Sequence, residues 1–338
     1  MKTVVIKSDH RVEMIEEEIP KARENFVVVK VHTSPMCTEF YHYRDGTESL
    51  CLGDEAAGEV VEVAQPGKVK VGDRVVVMPQ YPCGTCDLCL AGDYIHCENI
   101  LDPFDICGCS SGKATYSQYV VKQDWLLLPI PETLSYDHAS MACCGLGASF
   151  GAVNQLGINS SDTVLITGLG PVGLGAIINC VSRGARVIGV ARNPYRAKLA
   201  MDLGAEVVLH PDHVDCRQKI RDLTGGLGTD QSIECSGGEI YQRICIAGTR
   251  RKGQVAFVGE SKELRISVSD DLIRNGLTVH GCWHWNLSDA GMMMDSIQKN
   301  DRLINKLITH TFPLTAVEKA FRLQVSGNCG KVLLHPWE

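Results

Sequence analysis

Four cysteines, Cys83, Cys86, Cys89 and Cys97, follow one another as C-x2-C-x2-C-x7-C in a loop marked by Pro82, Gly84 and Gly92. Spacings this short let one loop carry four thiolates to the corners of a tetrahedron, which is how zinc is held in a closed structural site. Iron–sulfur ligation is the rival use of such a set, and four unrelated thiols is the bland one. A fully liganded ion has no open position, so the predicted zinc secures a lobe at 83–97 and does no chemistry.

A second signature is the stretch 163–173, T-V-L-I-T-G-L-G-P-V-G. Val164, Leu165 and Ile166 read as a buried parallel strand, and Gly168, Gly170 and Gly173 spell G-x-G-x-x-G around Pro171 and Val172. The first glycine allows a tight turn, the second lets a pyrophosphate approach, and the third lets helix and strand pack closely. The phosphates would rest on unpaired N–H groups at the helix N-terminus. The next strand, 186–190, leads into Ala191-Arg192-Asn193, where a carboxylate would otherwise bind a ribose 2′-hydroxyl. Arg192 can instead pair bidentately with a 2′-phosphate, assisted by Arg196, so NADP(H) is expected over NAD(H).

The elements that must position these residues are also legible. The span 1–19 alternates apolar and polar residues, with a hairpin near 8–9. Strands at 26–31, 58–63 and 71–78 make a β-rich first domain, and 26–31 delivers the chain to Cys37. The span 136–153 reads as helix. Strands at 163–168, 185–191, 206–209, 231–235, 254–258 and 277–281 then alternate with helices, the pattern of a doubly wound parallel sheet. Trp283, His284 and Trp285 follow the last of these. They line a cleft or a subunit interface on one reading, and on the preferred one are ordinary aromatic packing. A helix at 316–323 and a strand at 331–335 return the chain to the first domain.

With 338 residues there is room for two domains, and 44% hydrophobic with 22% charged residues is ordinary for a soluble globular chain. A net charge of −7 argues against nucleic acid or an anionic membrane surface as the main partner. No apolar leader is seen at 1–10, and the run 165–181 is broken by glycines, Pro171 and Asn179, so no membrane span is expected. Sixteen cysteines in such a chain point to metal ligands and packed thiols in a reducing, cytoplasmic setting.

Taken in order, Gly53-Asp54-Glu55-Ala56-Ala57-Gly58, Val71-Gly72-Asp73-Arg74-Val75, the cysteine lobe and the glycine motif resemble the zinc-containing medium-chain dehydrogenase/reductase family, the alcohol and polyol dehydrogenases. The resemblance spans essentially the whole chain. It implies an α/β fold: a GroES-like β-rich catalytic domain (1–152 and 288–338) with an inserted Rossmann doubly wound parallel sheet (153–287). It also implies a nicotinamide cofactor, a homodimer or homotetramer, and hydride transfer to or from a carbinol carbon in a cleft between the domains.

Carried over residue by residue, the family's catalytic zinc would use Cys37, the position of Asp54, Glu55 beside it, and Cys144. The family's Gly-His-Glu reads Gly53-Asp54-Glu55 here, so a histidine ligand is replaced by a carboxylate. The aspartate that would orient that histidine is replaced by Phe40, which is consistent with there being no imidazole to orient. Three outcomes follow: zinc held with Asp54, zinc held by Cys37, Glu55 and Cys144, or no catalytic zinc. The first is the expectation, because carboxylate oxygen is an acceptable ligand. Glu39 stands where the family's serine relays the alcohol proton, and His42 occupies the relay histidine's place.

The resulting expectation is a zinc-assisted, NADP(H)-dependent oxidoreductase acting on a small-molecule secondary alcohol or its ketone, of polyol, cyclitol or sugar-derived type. One alternative is a reductase of the same superfamily without catalytic zinc, acting on an activated C=C or iminium bond. Another is a cofactor-binding protein without turnover.

Overall fold

Val27, Val29 and Val31 project to one face of the strand Phe26–Pro35 and pack there with Ala56, Val60, Val75, Val77, Val120 and Leu127, as period-two alternation requires. In the computed structural model, which describes residues 1–108, 112–212 and 216–338, this strand is central to a seven-stranded sheet. The order is Ile308–Pro313, Lys331–His335, Phe26–Pro35, Ala56–Glu62, Arg74–Val77, Leu127–Pro129, and Tyr119–Gln123 also pairs with Phe26–Pro35. A separate hairpin, Lys2–Lys7 with Arg11–Glu16, turns through Ser8–His10. Val4 and Ile6 from that hairpin join Met36, Leu52, Tyr116, Phe321 and Leu334 in a second core. These elements belong to one unit, Met1–Cys143 with Asn286–Asp301 and Ile308–Glu338.

The second unit comprises Cys144–Trp285 and Arg302–Leu307. Its six strands are all parallel, in the order Val207–Leu209, Arg186–Val190, Thr163–Thr167, Thr229–Glu234, Thr249–Phe257, Thr278–Gly281. That is the doubly wound dinucleotide-binding order, with the reversal between Thr163–Thr167 and Thr229–Glu234. Val164, Leu165, Ile166, Val187, Ile188 and Val190 are fully or almost fully buried, as strands covered on both faces should be.

Two details differ from the sequence reading. The helix expected over 136–153 is broken into Tyr136–Ala139, a 3-10 turn Ser140–Ala142 and Gly147–Leu156. Cys143 leaves the helical region (φ −75°, ψ −132°), and its thiol bonds the Val77 carbonyl at 3.4 Å. The second unit also begins at Cys144 rather than at 153. Helix Gly147–Leu156 packs on Pro171–Val181, where Asn179 Nδ2 donates to the Leu146 carbonyl (3.0 Å) and to Ser149 Oγ (2.9 Å). Among the described residues no helix is long and apolar enough to cross a membrane.

Candidate active site and metal centres

Neighbouring strands bring the candidate ligands together. Cys37 follows the end of Phe26–Pro35 and Glu55 precedes the start of its antiparallel partner Ala56–Glu62, where Thr33 pairs with Ala57. Ala56 pairs in turn with Val77, whose carbonyl receives the Cys143 thiol, so the peptide bond from Cys143 delivers Cys144 beside Glu55. Ligand atoms of Cys37, Glu55 and Cys144 all lie within 4.8 Å of one another. Lys331 starts the strand on the other side of Phe26–Pro35 and places its Nζ 3.4 Å from both Glu55 oxygens.

Asp54 is not in this group, which corrects the expectation of a metal held with Asp54. Glu55, next to the strand Ala56–Glu62, is fully buried while Asp54 remains exposed. Protein nevertheless crowds the Asp54 carboxyl, and this desolvation, with the charge of Glu39, pushes it up to about 6. Glu39 stands at the N-cap position before Phe40, but its side chain makes no capping bond. Its Oε2 accepts from the Cys37 amide (3.0 Å) and from the Tyr116 hydroxyl (2.8 Å). Burial raises the Glu39 carboxyl against the opposing effect of those bonds. His42 is exposed in the short helix Phe40–Asp45, where its carbonyl closes the last turn.

Two thiols and a carboxylate suit zinc, and three protein ligands leave a fourth position open. The loop quartet suits a closed site. Sγ separations are 3.5 Å (Cys86–Cys89), 3.6 Å (Cys83–Cys97), 3.9 Å (Cys86–Cys97) and 4.0 Å (Cys83–Cys89). A tetrahedron with Zn–S bonds of about 2.3 Å has edges of about 3.8 Å. The amide of Thr85, then its hydroxyl and the Cys86 amide, stabilise the Cys83 thiolate and bring its pKa down to about 6. Asn286 clips the lobe in place through the Ala91 carbonyl (2.9 Å) and Asp93 (2.8 Å).

The glycine turn has the features of a dinucleotide cradle. Gly168 takes φ +79°, and a β-carbon on Gly173 would stand 2.3 Å from the Gly168 carbonyl. Gly170 precedes helix Pro171–Val181 without a capping side chain, so the amides of Val172 and Gly173 are left for an anion. Arg196 Nη1 lies 3.8 Å from where a β-carbon on Gly170 would be, beside the pyrophosphate position. Arg192 was expected to await a phosphate; instead it pairs bidentately with Asp212 (3.0 and 2.8 Å).

With this geometry in hand, comparison with known proteins is decisive for the family. Residues 23–132 match the alcohol dehydrogenase GroES-like domain, and residues 171–299 match the zinc-binding dehydrogenase domain. The chain belongs to the zinc-containing medium-chain dehydrogenase/reductase family. A zinc-type alcohol dehydrogenase-like protein of Escherichia coli, YphC, is 29% identical over 99% of both chains. Sorbitol dehydrogenase of Halalkalibacterium halodurans is 28% identical over 95% of this chain and 94% of its own. A Thermotoga maritima alcohol dehydrogenase superposes with a TM-score of 0.85 at 27% identity, covering 99% and 98% of the two chains. This medium-chain dehydrogenase is thus an oxidoreductase, and the reading without turnover is set aside.

Several of its site residues carried no sequence signal. Lys331 is far from Glu55 along the chain, Tyr116 looks like any core aromatic, and Asp212 sits 20 residues beyond Arg192. Only sheet pairing joins the first to the site.

Proposed function

We propose that this dehydrogenase interconverts a polyol, cyclitol or sugar-derived secondary alcohol and its ketone with NADP(H), as a homodimer or homotetramer. Cys37, Glu55 and Cys144 would hold the catalytic zinc, and Cys83, Cys86, Cys89 and Cys97 the structural one. Two thiols and a buried carboxylate converging within 4.8 Å carry this reading. When bound, zinc supplies a Lewis acid for the substrate oxygen and the nicotinamide carries the hydride.

The chain's own residues supply the rest. Glu39, fixed by Tyr116 and the Cys37 amide, accepts the hydroxyl proton on its carboxylate, and burial, which raises its pKa, makes it a stronger base than an ordinary carboxylate. Thr38, Tyr41 and His42, all exposed, favour a hydroxyl-rich substrate. Sorbitol and arabitol-phosphate dehydrogenases among the relatives support the polyol class.

For the cofactor, the arginine pattern favours NADP(H). The Arg192–Asp212 pair is about half exposed on each side, and an exposed pair of this kind is held only weakly. A 2′-phosphate offers Arg192 more charge than one carboxylate does, with Arg196 close by.

Lys331 engages both Glu55 oxygens, and this competition favours a second reading, the reductase without catalytic zinc. A turnover screen separates the two. Oxidation of polyols and other secondary alcohols with NADP+ ahead of NAD+ is expected. Reduction of activated alkenes or iminium compounds alone would replace the first reading by the second.

A further inference from the structure

Asp54 adjoins Glu55 in the chain, yet its side chain is exposed and stands apart from the group of Cys37, Glu55 and Cys144. Protein nevertheless surrounds its carboxyl closely enough to desolvate it. A side chain that reaches solvent while walled in by protein lines a concave surface, the shape of a small-molecule site. Among the described residues no other residue donates a hydrogen bond to Asp54; only its own amide favours the carboxylate. An ionised carboxylate accepts up to about four hydrogen bonds, so most of its capacity is left for a ligand.

The fold directs this carboxylate to the end of the sheet that carries the metal ligands. Ala56 opens the strand Ala56–Glu62 and pairs with Val77, the last residue of Arg74–Val77. The stretches 53–55 and 78–81 therefore leave the sheet at one end, where Glu55 is delivered. Gly53 (φ +80°) packs its stretch down, since a β-carbon there would stand 2.4 Å from both Thr115 Oγ1 and the Tyr116 ring. Tyr116 in turn donates to Glu39 Oε2 at 2.8 Å. Asp54 is thus one peptide away from Glu55, in a loop packed on the tyrosine that fixes Glu39.

Two buried ammonium groups balance its charge. Lys122 is 1% exposed, donates to the Gln80 carbonyl and lies 3.9 Å from the centre of the Tyr81 ring. Lys331 is the partner of Glu55. Both attract the Asp54 charge, against the repulsion of Glu39. A carboxylate compensated in this way does not call for a cationic ligand and suits a neutral donor, a hydroxyl.

We infer that Asp54 is a specificity-determining residue: it accepts a hydrogen bond from the hydroxyl next to the substrate's carbinol carbon and so selects vicinal diols over simple secondary alcohols. Neighbouring Cα atoms are about 3.8 Å apart, a separation that suits Glu55 and Asp54 to adjacent oxygens of one small diol. This inference rests on the alcohol-oxidation reading above and names the feature of the polyol that is selected.

Steady-state oxidation of 2,3-butanediol and 2-butanol by the zinc-loaded enzyme tests it, because the two alcohols differ only in the neighbouring hydroxyl. The nucleotide is whichever of NADP+ and NAD+ the enzyme uses faster. The wild type should favour the diol in kcat/KM, and Asp54→Ala should lower that preference about tenfold, the scale of one hydrogen bond to a charged group. Asp54→Asn, which keeps an acceptor oxygen of the same reach, should recover part of it. Zinc content of both variants, measured on the same samples, should match the wild type. An unchanged preference in Asp54→Ala, a wild type that does not favour the diol, or zinc lost together with the preference would overturn the role of Asp54 alone. Failure of the wild type to oxidise either alcohol would instead overturn the alcohol-oxidation reading beneath it.

Discussion

Lys331 and Glu55 form a fully buried ion pair: Nζ is 3.4 Å from both carboxylate oxygens, with side chains 1% and 0% exposed. Removing one partner leaves an uncompensated buried charge, which typically costs about 3–5 kcal/mol. In protein stripped of metal, where no zinc can compensate Glu55, Lys331→Met should lower unfolding free energy by about that amount in urea titration. Adding Glu55→Gln should restore most of it, because the cost comes from the orphaned charge. Additive losses in the double variant would show that the lysine acts by packing alone.

The quartet at 83–97 makes a different demand. Without metal, four thiols about 3.5–4.0 Å apart lose the ion that neutralises their thiolates. A strong chelator, or Cys97→Ser, should open the lobe to proteolysis within 83–97 and lower the melting temperature. An unchanged cleavage pattern after complete zinc removal would contradict a structural metal.

Cofactor choice is predicted to depend on the pair at the end of the second strand. Arg192→Ala should weaken NADPH about 10- to 100-fold, the worth of a charge-assisted bidentate contact, and NADH little. Asp212→Asn should tighten NADPH by freeing the guanidinium. Equal losses of both nucleotides in Arg192→Ala would remove the argument for NADP(H).

A pH effect follows from His335, which bridges Asp137 (2.9 Å) and Glu338 (3.0 Å). The hydrogen bond to Asp137 raises the imidazole above its ordinary 6.5. Burial would raise Asp137, but hydrogen bonds from His335 and Thr33 outweigh it and hold the carboxyl low. A raised histidine stabilises fully below 6.5 and loses that contribution as pH climbs through its folded value. A depressed aspartate stabilises above 3.8 and loses its share as pH falls through its own folded value. The gap in stability between wild type and His335→Gln should therefore shrink from pH 6 to pH 8.5 in denaturant unfolding. A gap that widens over that range would contradict the assignment.

Much of this architecture was legible because it is local. The quartet and the glycine turn each lie within one short stretch, and Thr163–Thr167, Arg186–Val190 and Val207–Leu209 announce themselves as apolar runs between helices. What escaped depends on pairing across the chain. Nothing in Gly53-Asp54-Glu55 says which carboxylate turns inward; the register of Ala56 with Val77 decides it, and it selects Glu55. The break at Cys143 was hidden inside an apolar helical pattern, and only contact with Val77 reveals it. Arg192 looked like an unpaired cation because its partner, Asp212, follows a different strand.

Cys37, Glu55 and Cys144, whose ligand atoms lie within 4.8 Å of one another, are proposed to hold a second zinc. Zinc content per chain, measured by mass spectrometry on purified wild type and Cys37→Ser, tests it most directly. Two equivalents falling to one, with ADP binding retained, is the predicted result. One equivalent in both proteins would contradict it.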